Sequence, residues 1–102
     1  MLVHLAAFSW QDSVTDDEAD KLLDGLRAIA ADVPGLTAVY AGKNTSPHGR
    51  GLTHAVLLIA DGVEVHKAYQ QHPNHVAATE RMNQSQQVDE THQPGIVVDL
   101  TV

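Results

Sequence analysis

The sequence predicts an α+β fold in which a strand–helix–strand unit occurs twice, and three observations carry that expectation. Apolar runs at residues 2–10, 36–42, 52–60 and 95–102 have the length and side-chain content of strands. The segments between the first and second runs, and between the third and fourth, carry helical periodicity or helix-start signals. Turn-forming residues, Pro34-Gly35 and the stretch NTSPHGRG at 44–51, fall between the runs.

The chain has 102 residues, enough for one core, and is taken as a single domain over 1–102. Its formal net charge is -7, and Lys21, Arg27, Lys43, Arg50, Lys67 and Arg81 are scattered along it. Nucleic acid and anionic membrane are therefore not expected as partners, because both attract basic stripes. No apolar run reaches the ~20 residues of a membrane span. The opening MLVHLAAFSW lacks a basic segment and does not read as a signal peptide. There is no cysteine, which removes disulfides and thiolate chemistry and agrees with a cytoplasmic location.

The first run, 2–10, is apolar at almost every step and reads as a strand buried on both faces. Thr15-Asp16-Asp17-Glu18 is a capping box, with Thr15 as N-cap and Glu18 reaching back. Ala19, Leu22, Leu23, Leu26, Ile29, Ala30 and Val33 then form one helical stripe, which Pro34-Gly35 stops. The second strand is 36–42, and the third, 52–60, is again apolar on both parities. Asp61-Gly62-Val63-Glu64 repeats the capping-box pattern with Asp61 as the cap. A short helix over 63–71 must end near His72, because Pro73 disfavours helix in the residue before it. Pro73 itself opens another helix through Val76, Ala77, Ala78 and Met82. Residues 84–94 are polar without periodicity, and 95–102 is a β-branched fourth strand.

The order β-α-β-β-α-β is the split βαβ, or ferredoxin-like, arrangement, with one four-stranded antiparallel sheet and its helices on one face. Leu2, Ala6 and Phe8 alternate with Val3, Leu5 and Ala7. Val56 and Leu58 alternate with Ala55, Leu57 and Ile59, and Ile96, Val98, Leu100 and Val102 with Val97. Helices cover only one of two apolar faces. A second subunit is the expected cover for the other, giving a homodimer with sheets packed face to face.

Seven histidines in so short a chain are the unusual feature. His4 and His54 share a parity with large apolar neighbours. If that parity faces the helices, both imidazoles enter a cavity roofed by Tyr69-Gln70-Gln71-His72-Pro73-Asn74-His75. A neutral imidazole can abstract a proton while a phenol hydrogen-bonds a developing oxyanion, the requirement of acid–base chemistry at a carbonyl. His48 and His92 read as solvated loop residues and His66 as a helix-surface residue. His72, before a proline at a helix end, also suits a cap. A zinc or copper site from His72 and His75 with His4 or His54 lacks further ligands at metal spacing, so neither metal nor cofactor is expected.

The spacing of His4, Phe8, Pro34-Gly35, Gly42 with Asn44 and Ser46, Gly51, His54, Tyr69-x-x-His72-Pro73-x-His75 and Val98-Asp99 resembles the stress-responsive A/B barrel domain family. The resemblance implies a dimeric α+β barrel and, by similarity to olivetolic acid cyclase-type polyketide cyclases, an intramolecular aldol reaction on a small hydrophobic or polyketide-like ligand. It implies His75 as general base and Tyr69 as its partner at the substrate carbonyl. His4, His54 and His72 are the substrate-binding positions. Ala60 departs from the family, which usually has Phe there. The alternatives are a non-catalytic stress-responsive or small-ligand-binding homodimer, and a dimerisation module whose histidines are core residues.

Overall fold

Strand, helix and strand succeed one another twice in the computed structural model, which describes residues 1–10, 13–85 and 95–102. The elements are β1 (Leu2–Phe8), α1 (Asp16–Ala28) continued by a 3₁₀ turn (Ile29–Ala31), β2 (Leu36–Lys43) and β3 (His54–Ala60), then α2 (Val63–Gln71), α3 (Pro73–Ser85) and β4 (Gly95–Thr101). They form a four-stranded antiparallel sheet of order β2-β3-β1-β4 with helices on one face, the ferredoxin-like arrangement. β1 and β3 are shorter than their apolar runs, because pairing stops at Phe8↔His54.

The helix starts differ from the sequence expectation in an instructive way. Thr15 caps α1 as expected, its Oγ1 accepting from the Glu18 N–H at 3.1 Å. The Glu18 carboxylate, however, pairs with Arg81 of α3 at 2.5 Å instead of closing the box. A cross-helix guanidinium offers the carboxylate a charged donor, which a backbone N–H cannot match. Asp61 does not cap α2; Gly62 is the N-cap and no side chain bonds there. Gly35 turns the chain at φ 86, a left-handed conformation that glycine adopts freely.

The pairings set two families of rungs across the sheet. On the helix side run Val39–Leu58–His4–Asp99, Ala41–Val56–Ala6–Val97 and Lys43–His54–Phe8–Gly95. Leu58, with Leu23 of α1 and Ile29 behind it, is fully buried there. Truncating such a leucine typically costs ~2–5 kcal/mol. Gly95 is required by crowding, since a Cβ would stand 2.0 Å from the Ala7 carbonyl oxygen.

No helix of the described residues covers the opposite face. Its rungs are Ala38–Ile59–Val3–Leu100, Tyr40–Leu57–Leu5–Val98 and Gly42–Ala55–Ala7–Ile96. Tyr40, Ile96 and Leu100 are more than half exposed, and not one charged side chain interrupts the rungs.

Candidate functional site

A cleft of about 280 Å³ lies between the β1–β4 side of the sheet and α2–α3. Its walls are largely apolar, from Phe8, Leu26, Val56 and Ala78, and its polar groups are His4, Tyr69, Gln70, His75 and Thr79. Tyr69 lies on the inward side of α2 and is buried. The break between α2 and α3 at His72-Pro73 turns the chain so that His75, one turn into α3, faces back toward Tyr69. Their ring centres are 4.8 Å apart at 60°.

The His75 ring is fixed by a 3.0 Å hydrogen bond between Nδ1 and the Gln70 carbonyl oxygen. A carbonyl can only accept, so Nδ1 carries the proton and Nε2 keeps its lone pair. Burial pushes the His75 pKa below its ordinary value, opposed by the Gln70 hydrogen bond and assisted by His4. Burial also drives the Tyr69 phenol up to about 12. The pair at neutral pH is therefore a neutral imidazole with a free lone pair beside a protonated hydroxyl.

Behind Tyr69 stand two further imidazoles. His4 is buried in β1, and its Nδ1–H donates to Asp99 Oδ1 of β4 at 2.5 Å. The His66 ring lies 4.2 Å from that of His4 and 6.2 Å from that of Tyr69. His66 does not lie on the helix surface: it is 7% exposed, and its Nε2 has no hydrogen-bond partner among the described residues. Burial lowers its pKa, as does His4, while Asp99 raises it. Two signals in the sequence point to this group. His66 precedes Tyr69 by three residues on one helix, hence the same face. Asp99 is the lone carboxylate in a β-branched strand, on the parity opposite Ile96, Val98 and Leu100.

The other proposed binding residues lie elsewhere. His54 is on the expected parity but does not line the cleft. It borders a separate recess of about 520 Å³ with Trp10, Asp16, Lys43 and Asn44. Its partner in register is Phe8, four residues along β1 from His4, which places the two histidines ~13 Å apart. His72 faces neither recess. Its Nδ1 accepts from the Asn74 N–H at 3.1 Å and its Nε2–H donates to Asp32 at 2.8 Å, so it caps the α2–α3 junction. His48 is exposed, as expected, and His92 lies outside the described residues.

This architecture is shared with solved proteins of ferredoxin-like fold. A dimeric ferredoxin-like protein from Jannaschia sp. aligns with TM-score 0.80 and 24% identity, covering 99% of this chain and 98% of that one. A dimeric ferredoxin-like protein from Thermobifida fusca aligns with TM-score 0.74 and 26% identity, covering 99% and 90%. A hydroxynitrile lyase from Passiflora edulis shares the fold at TM-score 0.75 and 11% identity, covering 99% and 92%. No match is found among curated proteins. Residues 2–92 match the stress-responsive A/B barrel domain, and the chain belongs to that family. No helix among the described residues is long and apolar enough to cross a membrane.

Proposed function

We propose that the chain is a homodimeric enzyme whose cleft performs acid–base chemistry on a carbonyl substrate, an intramolecular aldol cyclisation of a polyketide-like chain. The observation that carries the reading is the Tyr69–His75 pair, 4.8 Å between rings, at the wall of an apolar cleft. With Nδ1 held by Gln70, His75 Nε2 is the base that removes a proton from the carbon between two carbonyls. Tyr69 keeps its proton and donates a hydrogen bond to the carbonyl oxygen where charge develops. His4, anchored by Asp99, shapes the cleft floor. The apolar walls suit a hydrophobic ligand of modest size. A hydroxynitrile lyase of the same fold is in keeping with an enzyme on this scaffold.

The dimer follows from the uncovered face. Rungs such as Tyr40–Leu57–Leu5–Val98 present an apolar surface without charge, and a second copy of the same face covers it. A stable interface buries ~800 Å² on each partner. The dimeric ferredoxin-like relatives support this arrangement. Leu57→Asp should yield monomers by light scattering at micromolar concentration. A wild-type chain that scatters as a folded 11.0 kDa monomer would remove the dimer.

Turnover is tested with a linear poly-β-ketone, following the aromatic product by mass. Wild type should accelerate cyclisation, and Tyr69→Phe should lose rate while keeping fold and dimer. Binding of the ketone without acceleration would leave a ligand-binding dimer and end the enzymatic reading.

A further inference from the structure

Three ligand-type side chains from three different elements meet behind the acid–base pair: His4 of β1, His66 of α2 and Asp99 of β4. We propose that they bind one divalent cation of the zinc class, with an open coordination position toward the cleft. One ring nitrogen of each histidine and one carboxylate oxygen of Asp99 all lie within 4.8 Å of one another. Bonds of ~2.0–2.2 Å in a tetrahedral site place donors ~3.3–3.5 Å apart, so side-chain rotations on the order of an ångström close the set. The His4–Asp99 hydrogen bond already brings two of the three side chains together, and a cation held by these two atoms takes the place of the proton between them, which leaves to solvent.

An independent observation also points to a ligand. The His66 Nε2 is buried and unpartnered among the described residues. Leaving such a group unsatisfied costs ~1–3 kcal/mol, whereas an apolar residue at this inward position of α2 would carry no such cost. Metal coordination is the interaction an imidazole lone pair makes in place of a hydrogen bond.

The donor chemistry selects the cation. Two imidazoles and one carboxylate suit zinc and its first-row neighbours, while magnesium and calcium prefer all-oxygen sets. One carboxylate leaves a bound dication with net positive charge, and the chain's net charge of -7 favours its uptake. Three protein ligands leave a fourth position, as zinc sites that take a water or substrate oxygen do. His4 lines the cleft, so that position is reachable from it. The site does not depend on the aldol reading: His75→Ala should abolish turnover while leaving metal uptake intact.

The test uses full-length chain without an affinity tag, stripped with chelator and titrated with Co(II), then Zn(II). The expected result is one Co(II) per chain with visible absorption of a four- or five-coordinate site, displaced by one equivalent of Zn(II). His66→Leu should weaken uptake by ~100-fold or more and remove the bands, and Asp99→Asn should weaken it as well. A His48→Ala/His72→Ala double variant should keep both bands and stoichiometry. On the wild type, Zn(II) should shift the ring-nitrogen resonances of His4 and His66, a readout needing no variant to fold. The proposal is overturned by uptake that is unchanged in His66→Leu or lost in the double variant. Zn(II) shifts confined to His48, His72 or His92, or the lack of saturable uptake at one per chain, would overturn it equally.

Discussion

His4 and His54 lie on the same face of the same sheet and are almost equally buried, at 8% and 6% exposure. Their neighbours differ. His4 meets a carboxylate, a second imidazole and the wall of the cleft that Tyr69 and His75 share. His54 is roughly parallel to Phe8, 6.3 Å away, and lies edge-on to Trp10, and among the described residues its ring has one hydrogen bond, to the Thr53 hydroxyl at 2.8 Å. Its Nε2 and the Trp10 Nε1 are buried without a hydrogen-bond partner among the described residues. Burial and strand parity thus place a histidine inside a protein without setting which groups lie within reach of its ring.

The comparison is broken or sharpened most strongly by activity. His75→Ala should lower ketone cyclisation by ~10²–10⁴-fold with the melting temperature nearly unchanged, as expected for loss of a general base. His54→Leu, at the other end of the face, should leave the rate within a few-fold by the same assay. Equal losses from both variants would erase the distinction between the two ends.

His54→Leu should instead act on stability. It removes a buried, unpartnered nitrogen and gives up one hydrogen bond to Thr53, a net gain of ~1 kcal/mol and a rise of ~4–8 °C in melting temperature. A clear drop by calorimetry would mean that the ring at this end has a partner of its own. His72→Ala, which strips both caps from the α2–α3 junction, should cost ~1 kcal/mol. Denaturant unfolding measures it, and His75 should still bind ligand if the cap is its only role.

The smallest effect is a pH slope. Burial lowers the His54 pKa below 6.5, with Lys43 adding to the shift and Asp16 and Asp20 opposing it. As pH falls through about 6.5, the unfolded chain takes up the proton before the folded one does. Stability held at neutral pH is therefore lost between that value and the lower folded pKa. Melting temperature should fall between pH 7.5 and 5.5 in the wild type and fall less in His54→Leu. Identical slopes would show that His54 does not titrate differently in the folded chain.

Much of the fold was legible because the strands are apolar on both parities, a pattern that fixes their number and demands cover on two faces. Thr15, Pro34-Gly35 and Pro73 marked helix limits through backbone chemistry, which acts locally. Strand register was not legible. It separates His54 from His4 along the sheet, since pairing of Phe8 with His54 is set by packing of the whole sheet and not by either strand alone. The place of His66 was hidden for a related reason. The buried residues of α2 are His66 and Tyr69, while Val63 is exposed, so apolar residues do not phase this helix. Glu18 lost its expected bond to Arg81, 63 residues away in sequence. The Tyr69–His75 approach was legible as a spacing across Pro73, but the tie from His75 to the Gln70 carbonyl, which assigns the proton, needed coordinates.

Among the described strands β4 pairs with β1 alone, and it turns two unlike sides outward along seven residues. Ile96, Val98 and Leu100 belong to the face a second copy would cover, while Val97 and Asp99 belong to the helix side, where Val97 lines the cleft and Asp99 holds His4. An edge strand gripped on one side frays more easily than its neighbours. A partner seated on that strand's outer residues adds its binding free energy to the strand's hold on the sheet, by mass action. The cleft would then inherit a dependence on protein concentration: dilution loosens the strand, Asp99 drifts from His4, and the floor beneath Tyr69 softens before the rest of the fold yields.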